Sequence, residues 1–221
     1  MLEVINMKKK SIILTTLLII LTFCFSIVAI YKHYFYPNIE VKSINSEAII
    51  DNKKLLAKFF PNKLNLSLSE ISLESKVNFT EEELTDLFIS VVNEIPDLKN
   101  NVTGLKVNIN NNKLYIFINF KYNNLPLQIK TIFMPYSENG EGIFHFQEGK
   151  IGFINIEKDT FFKYLEDTSI IQFDKKQGNV IISFVNTDIL EITDISTNEN
   201  NLDILFKAHL NLFKSKKDND F

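Results

Sequence analysis

The pattern of apolar and polar positions divides the chain into one uncharged run near its start and a long remainder in which polar and apolar residues mix. The run extends from Ser11 to Ile30, twenty residues without a charge, a proline or a glycine. A helix of that length rises roughly 30 Å, about the thickness of the hydrocarbon core of a bilayer. The run therefore predicts a transmembrane anchor over residues 11–31, preceded by a short segment at residues 1–10.

A cleavable signal peptide and a lipoprotein signal are two further interpretations of this run that the sequence alone leaves open. A cleavable signal peptide has a shorter apolar segment followed by small residues at the cleavage site, whereas Phe25, Ile27 and Val28 continue the apolar run here. A lipoprotein signal would use Cys24, but bulky Phe23 precedes that cysteine where a small residue is expected. Both departures favour the uncleaved anchor.

Lysines are distributed unequally on the two sides of the run. Lys8–Lys10 precede it, and Lys32 follows it. Because the flank richer in lysine stays in the cytoplasm, we expect a cytoplasmic N-terminus and an extracellular C-terminal domain. Four aromatic residues within Tyr31–Tyr36 fall where an aromatic belt meets the outer headgroups. The membrane bilayer is thus the first predicted partner.

The best-defined element beyond the anchor is a strand that leads directly into a helix. Alternation from Leu66 to Phe79 is typical of a half-buried strand. Thr80 and Glu83 have the spacing of a capping box, in which each residue satisfies a backbone N–H of the other. The apolar positions of Leu84–Ile95 then lie on one helical face.

The second half of the remainder alternates mostly with a period of two, which predicts a succession of strands. Asn110–Asn112 is a hairpin-turn sequence, because asparagine tolerates positive φ. Asp159 is expected to cap a helix from Thr160 to Asp167. Four glycines are interpreted as turn residues: Gly140, Gly142, Gly149 and Gly152. The predicted strands cover residues 105–109, 113–122, 127–133, 143–147, 150–156, 170–173, 180–184 and 202–212.

This order of elements predicts an α+β fold, with an N-terminal transmembrane helix followed by an antiparallel β-rich domain and two or three packed helices. Residues 32–65 form a stalk with a short helix near 55–60, residues 66–213 form the β-rich domain, and residues 214–221 are a charged tail. A domain of this size is long enough to bury a core of its own.

Composition narrows the partners of the predicted outer domain. The chain has 24 basic residues, none of them arginine, and 27 acidic ones. Without Lys8–Lys10, Lys32 and Glu3, the predicted outer domain has 20 basic and 26 acidic residues, a formal charge of −6. This charge disfavours nucleic acid as a binding partner. The sole cysteine, Cys24, lies in the membrane run, so the outer domain has no disulfide. Without arginine, an anionic ligand must be met by lysine or by backbone N–H groups.

Motifs of catalysis, cofactor binding and metal binding are missing from the sequence. His33 is at the membrane edge, and His145 and His209 fall on separate predicted strands without a second ligand at metal-binding spacing. The chain contains neither the nucleophile-elbow sequence G-x-S-x-G nor a phosphate-binding glycine loop. We therefore predict a non-enzymatic protein without a cofactor or a metal, and we interpret His145 as a strand residue on a polar face.

The strongest chemical signal is that several predicted strands are apolar on both faces. Tyr115 and Phe117 lie opposite Ile116, Ile118 and Phe120 in one strand, and Ile132 and Met134 lie opposite Ile129 and Phe133 in another. Such a sheet needs cover on both faces, from core elements, from a partner protein or from a ligand such as a lipid tail. The candidate walls of an apolar-ligand site are Phe117, Phe120, Phe133, Phe144 and Phe146.

Four segments of the chain carry a resemblance to a known family. They are MKKK with the anchor, ISLESKVNFTEEELTDLF, LKVNINNNKLYIFINFKY and EGKIGFINIEKDTFFKYL. Together they resemble the YpmS-like family of uncharacterised, membrane-anchored proteins of Gram-positive bacteria. The resemblance implies membrane anchoring and no established activity. More distantly, the layout is similar to envelope proteins that wrap a curved sheet about a long helix and hold a lipid.

Membrane proximity and the apolar strands together favour one functional hypothesis. We predict a single-pass, extracytoplasmic protein of the cell envelope that binds a lipid or another long apolar ligand at the outer face of the membrane. The alternative is an interaction or scaffold subunit of an envelope complex, with an envelope protein as its partner at a strand edge or an apolar patch. An enzyme would need a cleft of converging acidic or histidine side chains that the sequence does not indicate.

Overall fold

The structure, a computed structural model, describes most of the chain. The described residues are 2–46, 58, 63–66, 70–163, 165–167, 171–182 and 190–211. Most of the short helix predicted near 55–60 and all of the tail at 214–221 lie outside them, so both stay predictions.

The predicted anchor is one long helix. Helix α1 extends over Leu2–Ile30 and passes into a π-helical turn at Tyr31–Phe35. Ile12–Phe35 is long and apolar enough to cross a membrane, its most apolar stretch is not buried, and it is the one such helix in the described chain. The hydroxyls of Thr16 and Thr22 donate to carbonyls four residues earlier, so the helix satisfies them internally. The helix is consistent with a single-pass membrane anchor.

The domain that follows the anchor is built from two antiparallel sheets. Within the described residues the strands are β1 (Lys42–Ser43), β2 (Lys63–Leu66), β3 (Glu70–Thr80), β4 (Val102–Asn110), β5 (Lys113–Tyr122), β6 (Leu125–Glu138), β7 (Glu141–Ile151), β8 (Ile154–Asn155), β9 (Ile171–Asp174), β10 (Asn179–Ile182), β11 (Leu190–Asn198) and β12 (Asn201–Asn211). Sheet A has the order β1-β4-β5-β6-β7-β10-β9, with β8 against β7, and sheet B has the order β11-β12-β3-β2. The predicted α+β class is confirmed.

Two tight hairpins made by asparagine pairs fix the register of sheet A. Asn111 and Asn112 have φ values of 50° and 59°, which a two-residue type I′ hairpin requires. This confirms the turn predicted at Asn110–Asn112. Asn123 and Asn124, with φ values of 48° and 67°, make the same kind of turn between β5 and β6.

Helix α2 (Glu81–Glu94) confirms the predicted capping box. The N–H of Glu83 donates to Oγ1 of Thr80 at 3.2 Å, and the N–H of Thr80 donates to Oε2 of Glu83 at 2.9 Å. Three glutamates in the first turn also face the positive end of the helix dipole. The helix begins where β3 ends, so it carries the chain from sheet B to sheet A. A second short helix, α3 (Pro96–Asn101), opens directly on proline and leads into β4.

Helix α2 also covers the free edge of β4. The N–H of Val107 donates to Oγ1 of Thr85 at 2.9 Å, and the N–H of Ile109 donates to Oε1 of Glu81 at 2.6 Å. Strand β1 pairs with β4 only at Lys42–Ser43, so it does not reach these two N–H groups. Side chains of the helix therefore satisfy backbone donors that an exposed edge strand would offer to another chain.

The core lies between the facing sides of the two sheets, and α2 and the short helix α4 (Lys158–Phe162) pack against it. It draws side chains from both sheets and from both helices. The largest fully buried apolar side chains are Phe162, Ile89, Leu105, Leu114, Ile192, Leu202, Val77 and Val107. The face of sheet A that meets this core is called the core face, and the opposite one the back face.

The interpretation of Gly149 as a turn residue is wrong, because β7 continues through it. A Cβ at position 149 would lie 3.0 Å from Cζ of Phe146 and 3.3 Å from Cβ of Ile156. Glycine is therefore needed there for close packing inside a strand. Gly142 also lies within β7, and the turn that ends the strand is at Gly152, where φ is +60°.

Two further boundaries differ from the prediction. The late helix is α4, which begins at Lys158 and ends at Phe162, and Glu157 precedes it without a side-chain cap. Asp159 therefore lies inside the helix and does not cap it. A helix this short is stabilised by packing, and the buried side chain of Phe162 provides that packing. Leu66 ends β2 instead of opening the following strand, and β2 pairs with β3.

Replacing threonine by valine is expected to change the free energy of unfolding in opposite directions at two buried positions, Thr131 and Thr85. The hydroxyl of Thr131, on the core face, is buried with no hydrogen-bond partner among the described residues. Thr131→Val removes that unpaired group at nearly constant volume, so we expect a gain of about 1 kcal/mol in the free energy of unfolding. Thr85→Val leaves the buried N–H of Val107 unpaired, with an expected loss of about 2 kcal/mol. Urea unfolding of the full chain in detergent measures both, and equal signs would contradict this assignment.

Candidate functional site

The five phenylalanines predicted to line a ligand site are divided between the two faces of sheet A. Phe120, Phe133, Phe144 and Phe146 share the core face, where Phe133 pairs with Phe146 and Phe144 pairs with Pro135. Phe117 is on the back face, between Lys106 and Lys130 in the register. The structure does not bring the five side chains together into one wall.

The phenylalanines of the core face meet aromatic residues of α4 and β9. The ring centroid of Phe146 lies 5.6 Å from that of Phe133 and 5.1 Å from that of Phe161. Phe161 and Phe162 are 5.3 Å apart, and Phe162 reaches Phe173 at 6.3 Å. These distances are those of directly packed aromatic side chains. The aromatic residues therefore fill this part of the core with their own contacts.

The back face carries a second apolar group, which we call the apolar stripe: Tyr115, Phe117, Ile132, Met134 and Ile143. Ile132 lies directly opposite Tyr115 on the neighbouring strand. Ile132 and Ile143 are only 8% and 5% exposed although neither belongs to the core cluster, and Met134 is 39% exposed. Ile132 and Ile143 are thus covered on the side of the sheet that faces away from the core, and Met134 is the member of the stripe that is most open to solvent.

A row of lysines crosses the sheet at one end of the apolar stripe. Lys106, Phe117, Lys130 and Lys150 are cross-strand neighbours on β4, β5, β6 and β7. The Nζ of Lys130 lies 5.1 Å from the ring centroid of Tyr115, a cation–π distance. Lys150 forms an ion pair with Glu148. In a chain without arginine, this row places cationic groups where the stripe begins.

The end of sheet A that bears this lysine row is also the end at which the anchor arrives. The segment after the anchor crosses the back face at Gln128, whose Nε2 donates to the carbonyl of Ile39 at 2.8 Å and whose Oε1 accepts from the N–H of Ile39 at 3.3 Å. The apolar stripe lies beyond this crossing, further from the anchor along β5 and β6.

Two open clefts in the described part of the chain have mostly polar residues in their lining. One, of about 580 Å³, lies beside His145, whose Nδ1 is 2.7 Å from Oδ1 of Asn179. The other, of about 590 Å³, lies at the asparagine-rich β4–β5 turn, where Oγ1 of Thr197 donates to Oδ1 of Asn112. His145 is a residue of strand β7, as the sequence predicts, but it lies on the back face directly opposite Met134 of the apolar stripe and not on a polar face. The described residues contain no group of three or more potential metal ligands.

Among the described residues, two carboxyl groups have shifted pKa values, and both stabilise the fold. Burial raises the pKa of Asp203, but hydrogen bonds from Asn78 and Lys76 and the charge of Lys76 outweigh it, so the net pKa is lowered. Burial likewise raises the pKa of Glu83, and its bonds to Lys58 and Thr80 bring it below the ordinary value. Each group is ionised to hold a cross-strand pair or a helix cap.

The candidate walls are chosen by residue type, whereas the cross-strand register divides them between the two faces of sheet A, so their role as ligand walls stays a prediction. Ile132 and Met134 belong to the apolar stripe and were not among the candidate walls. The signal for them is in the sequence, since both alternate with core-face residues in a strand that is apolar on both sides. Only the cross-strand register groups them with Tyr115 and Phe117.

Comparison of the chain with protein-family models, curated proteins and solved structures finds no match. The resemblance to the YpmS-like family therefore stays a prediction.

Proposed function

We propose that the chain is a single-pass membrane-anchored, extracytoplasmic protein without catalytic activity that binds a lipid, or another long apolar ligand, along the back face of sheet A. The single observation that carries the proposal is the apolar stripe. It lies on a domain whose anchor helix ends at the same sheet, so a lipid is the long apolar molecule nearest to it.

The dimensions of the stripe suit an acyl chain. The back-face positions of β6 from Lys130 to Tyr136 cover about 20 Å at roughly 3.3 Å per residue. One leaflet contributes about half of a hydrocarbon core roughly 30 Å thick. The stripe is therefore at least as long as an acyl chain of one leaflet, and burying the exposed part of Met134 would favour the binding of such a chain.

The lysine row supports an amphiphile over a plain hydrocarbon. Lys106, Lys130 and Lys150 share a row with Phe117, so a phosphate or carboxylate head placed there would meet ammonium groups while its chain follows the stripe. Ammonium groups act as point charges and do not select one anion geometry. The lysine row thus supports an anionic lipid without selecting its head group.

The proposal predicts where a reactive lipid labels the protein. The full chain is placed in nanodiscs with phosphatidylglycerol that carries a diazirine at the end of one acyl chain, irradiated, and digested for mass spectrometry. We expect label in the anchor and also in peptides covering residues 115–117 and 130–136. Label confined to the anchor and the residues beside it would overturn the proposal.

A matched pair of variants separates the stripe from general surface labelling. Met134→Asp puts a carboxylate against the acyl chain, which costs more than 1.4 kcal/mol unless the charge is paired, so labelling of the stripe should fall at least about tenfold. Val91 on α2 is exposed to a similar extent, and Val91→Asp should leave the stripe labelled. Undiminished labelling of Met134→Asp would show that the label does not come from a chain in the stripe.

A further inference from the structure

The end of the anchor is docked against two turns of sheet A. The hydroxyl of Tyr31 donates to the carbonyl of Pro126 at 2.8 Å, next to the β5–β6 turn. The ring of Phe153, in the β7–β8 turn, lies 5.3 Å from that of Tyr34 and 5.0 Å from that of Phe35. Since Ile12–Phe35 is the stretch that can cross a membrane, these contacts bring both turns to the level at which the helix leaves the bilayer.

Gly152 makes this docking close. Its φ is +60°, and a Cβ at that position would lie 2.6 Å from the carbonyl oxygen of Tyr34 and 3.0 Å from Cδ1 of Phe35. A side chain there would need both an unfavourable backbone conformation and a shift of the anchor. The glycine therefore lets the backbone of the β7–β8 turn touch the backbone at the end of the anchor.

The two docked turns expose large apolar side chains. Tyr122 and Leu125 flank the first turn and are 61% and 51% exposed, and Phe153 and Ile154 in the second are 59% and 51% exposed. The two turns lie at the same end of the sheet, because Ile129 of β6 pairs with Ile151 of β7. They form one apolar tip beside the anchor, which we call the membrane tip. Most exposed apolar residues on a soluble surface are scattered singly, whereas a contiguous group marks an interaction site.

The charge of the membrane tip suits a lipid surface. Residues 121–126 and 150–156 contain two lysines and no acidic residue, in a chain whose net formal charge is −3. Between Tyr122 and Leu125 the polar groups are the uncharged amides of Asn123 and Asn124. Aromatic rings, aliphatic side chains, amides and lysine are the composition of protein segments at the headgroup level of a bilayer.

We propose that the membrane tip, Tyr122–Leu125 and Gly152–Ile154, sits in the headgroup layer of the leaflet from which the anchor emerges. The sheet then stands upright on the bilayer with its strands running away from it. The inference rests on the anchoring of α1 and not on a lipid held in the apolar stripe. Its consequence for the stripe is a fixed orientation, with the lysine row close to the lipid surface and the far end of the stripe away from it.

The absence of tryptophan from the chain offers a direct test, because one introduced tryptophan is the sole emitter of its kind. Phe153→Trp and Leu125→Trp are made separately in the full chain and reconstituted into vesicles of phosphatidylcholine and phosphatidylglycerol with brominated acyl chains. We expect each to lose most of its emission to the brominated lipid and to be shielded from aqueous acrylamide. Ser196→Trp, on exposed β11, is the control and should show the reverse behaviour.

Quenching of both tip reporters by brominated lipid, with Ser196→Trp unquenched, supports the inference. Tip reporters that acrylamide quenches as strongly as it quenches Ser196→Trp would overturn it. If acrylamide quenches the tip reporters but residues 130–136 are still labelled by lipid, only the inference about the tip has failed. If lipid quenches the tip reporters but the stripe is not labelled, only the proposed function has failed.

Discussion

Replacing Phe162 by alanine is expected to destabilise the domain that follows the anchor by about 4 kcal/mol, because the change removes a large apolar side chain and leaves a cavity. Phe162 is fully buried, and its ring lies 5.3 Å from that of Phe161 and 6.0 Å from that of Phe146. Thermal unfolding of the full chain in detergent should show a midpoint roughly 10 °C lower than that of the unchanged protein. Lipid labelling of the apolar stripe should persist below that temperature.

Phe117→Ala is the matched control for this prediction. Phe117 is half-buried and lies on the back face, so its truncation should cost only about 1 kcal/mol of stability while reducing the lipid label in the stripe. Phe162→Ala should thus lower mainly the stability of the domain, and Phe117→Ala should lower mainly the lipid labelling of the stripe. Equal losses of stability in the two variants would contradict the division of the aromatic residues between core and stripe.

Features determined by neighbouring residues are predictable from this sequence. The anchor needs only an uncharged run of bilayer length, and the capping box needs only Thr80 and Glu83 at the right spacing. The Asn110–Asn112 turn follows in the same way, from residues that accept positive φ. In each case the local sequence favours one low-energy conformation, and tertiary contacts do not change it.

One long strand that the pattern missed, β11, is interrupted by a bulge. In β11 the buried side chains are Ile192 and Ile195, and the register shifts between Ile192 and Asp194. The apolar spacing therefore changes from two to three within the strand, and the period that identifies a strand is lost. A similar shift between Ile132 and Phe133 of β6 lets β7 continue through Gly149 where the pattern predicts two separate strands.

The candidate site was less predictable than the fold for a different reason. A period of two shows which residues of one strand share a face, but it does not show which face meets the core or how faces align across strands. Phe133 and Met134 are adjacent in sequence and have opposite environments, one 5% and the other 39% exposed. That difference arises from α4 and sheet B, which are distant in sequence.

The largest all-or-none effect expected for this chain concerns the side of the membrane on which its domain lies. Cys24 is the sole cysteine, so a Cys24→Ser chain can carry one new thiol at a chosen place. Ser196→Cys lies on the exposed strand β11, and Asn6→Cys lies before the anchor. The lysines at positions 8–10 predict that the first is extracellular and the second is cytoplasmic.

The most direct measurement is labelling of these two cysteines in intact cells with a maleimide that cannot cross the membrane. We expect Ser196→Cys to be labelled at once and Asn6→Cys only after the cells are permeabilised, with both proteins recovered in the membrane fraction. Labelling of Asn6→Cys and protection of Ser196→Cys in intact cells would contradict the account of an anchored extracytoplasmic domain, and so would recovery of a soluble protein that has lost its anchor.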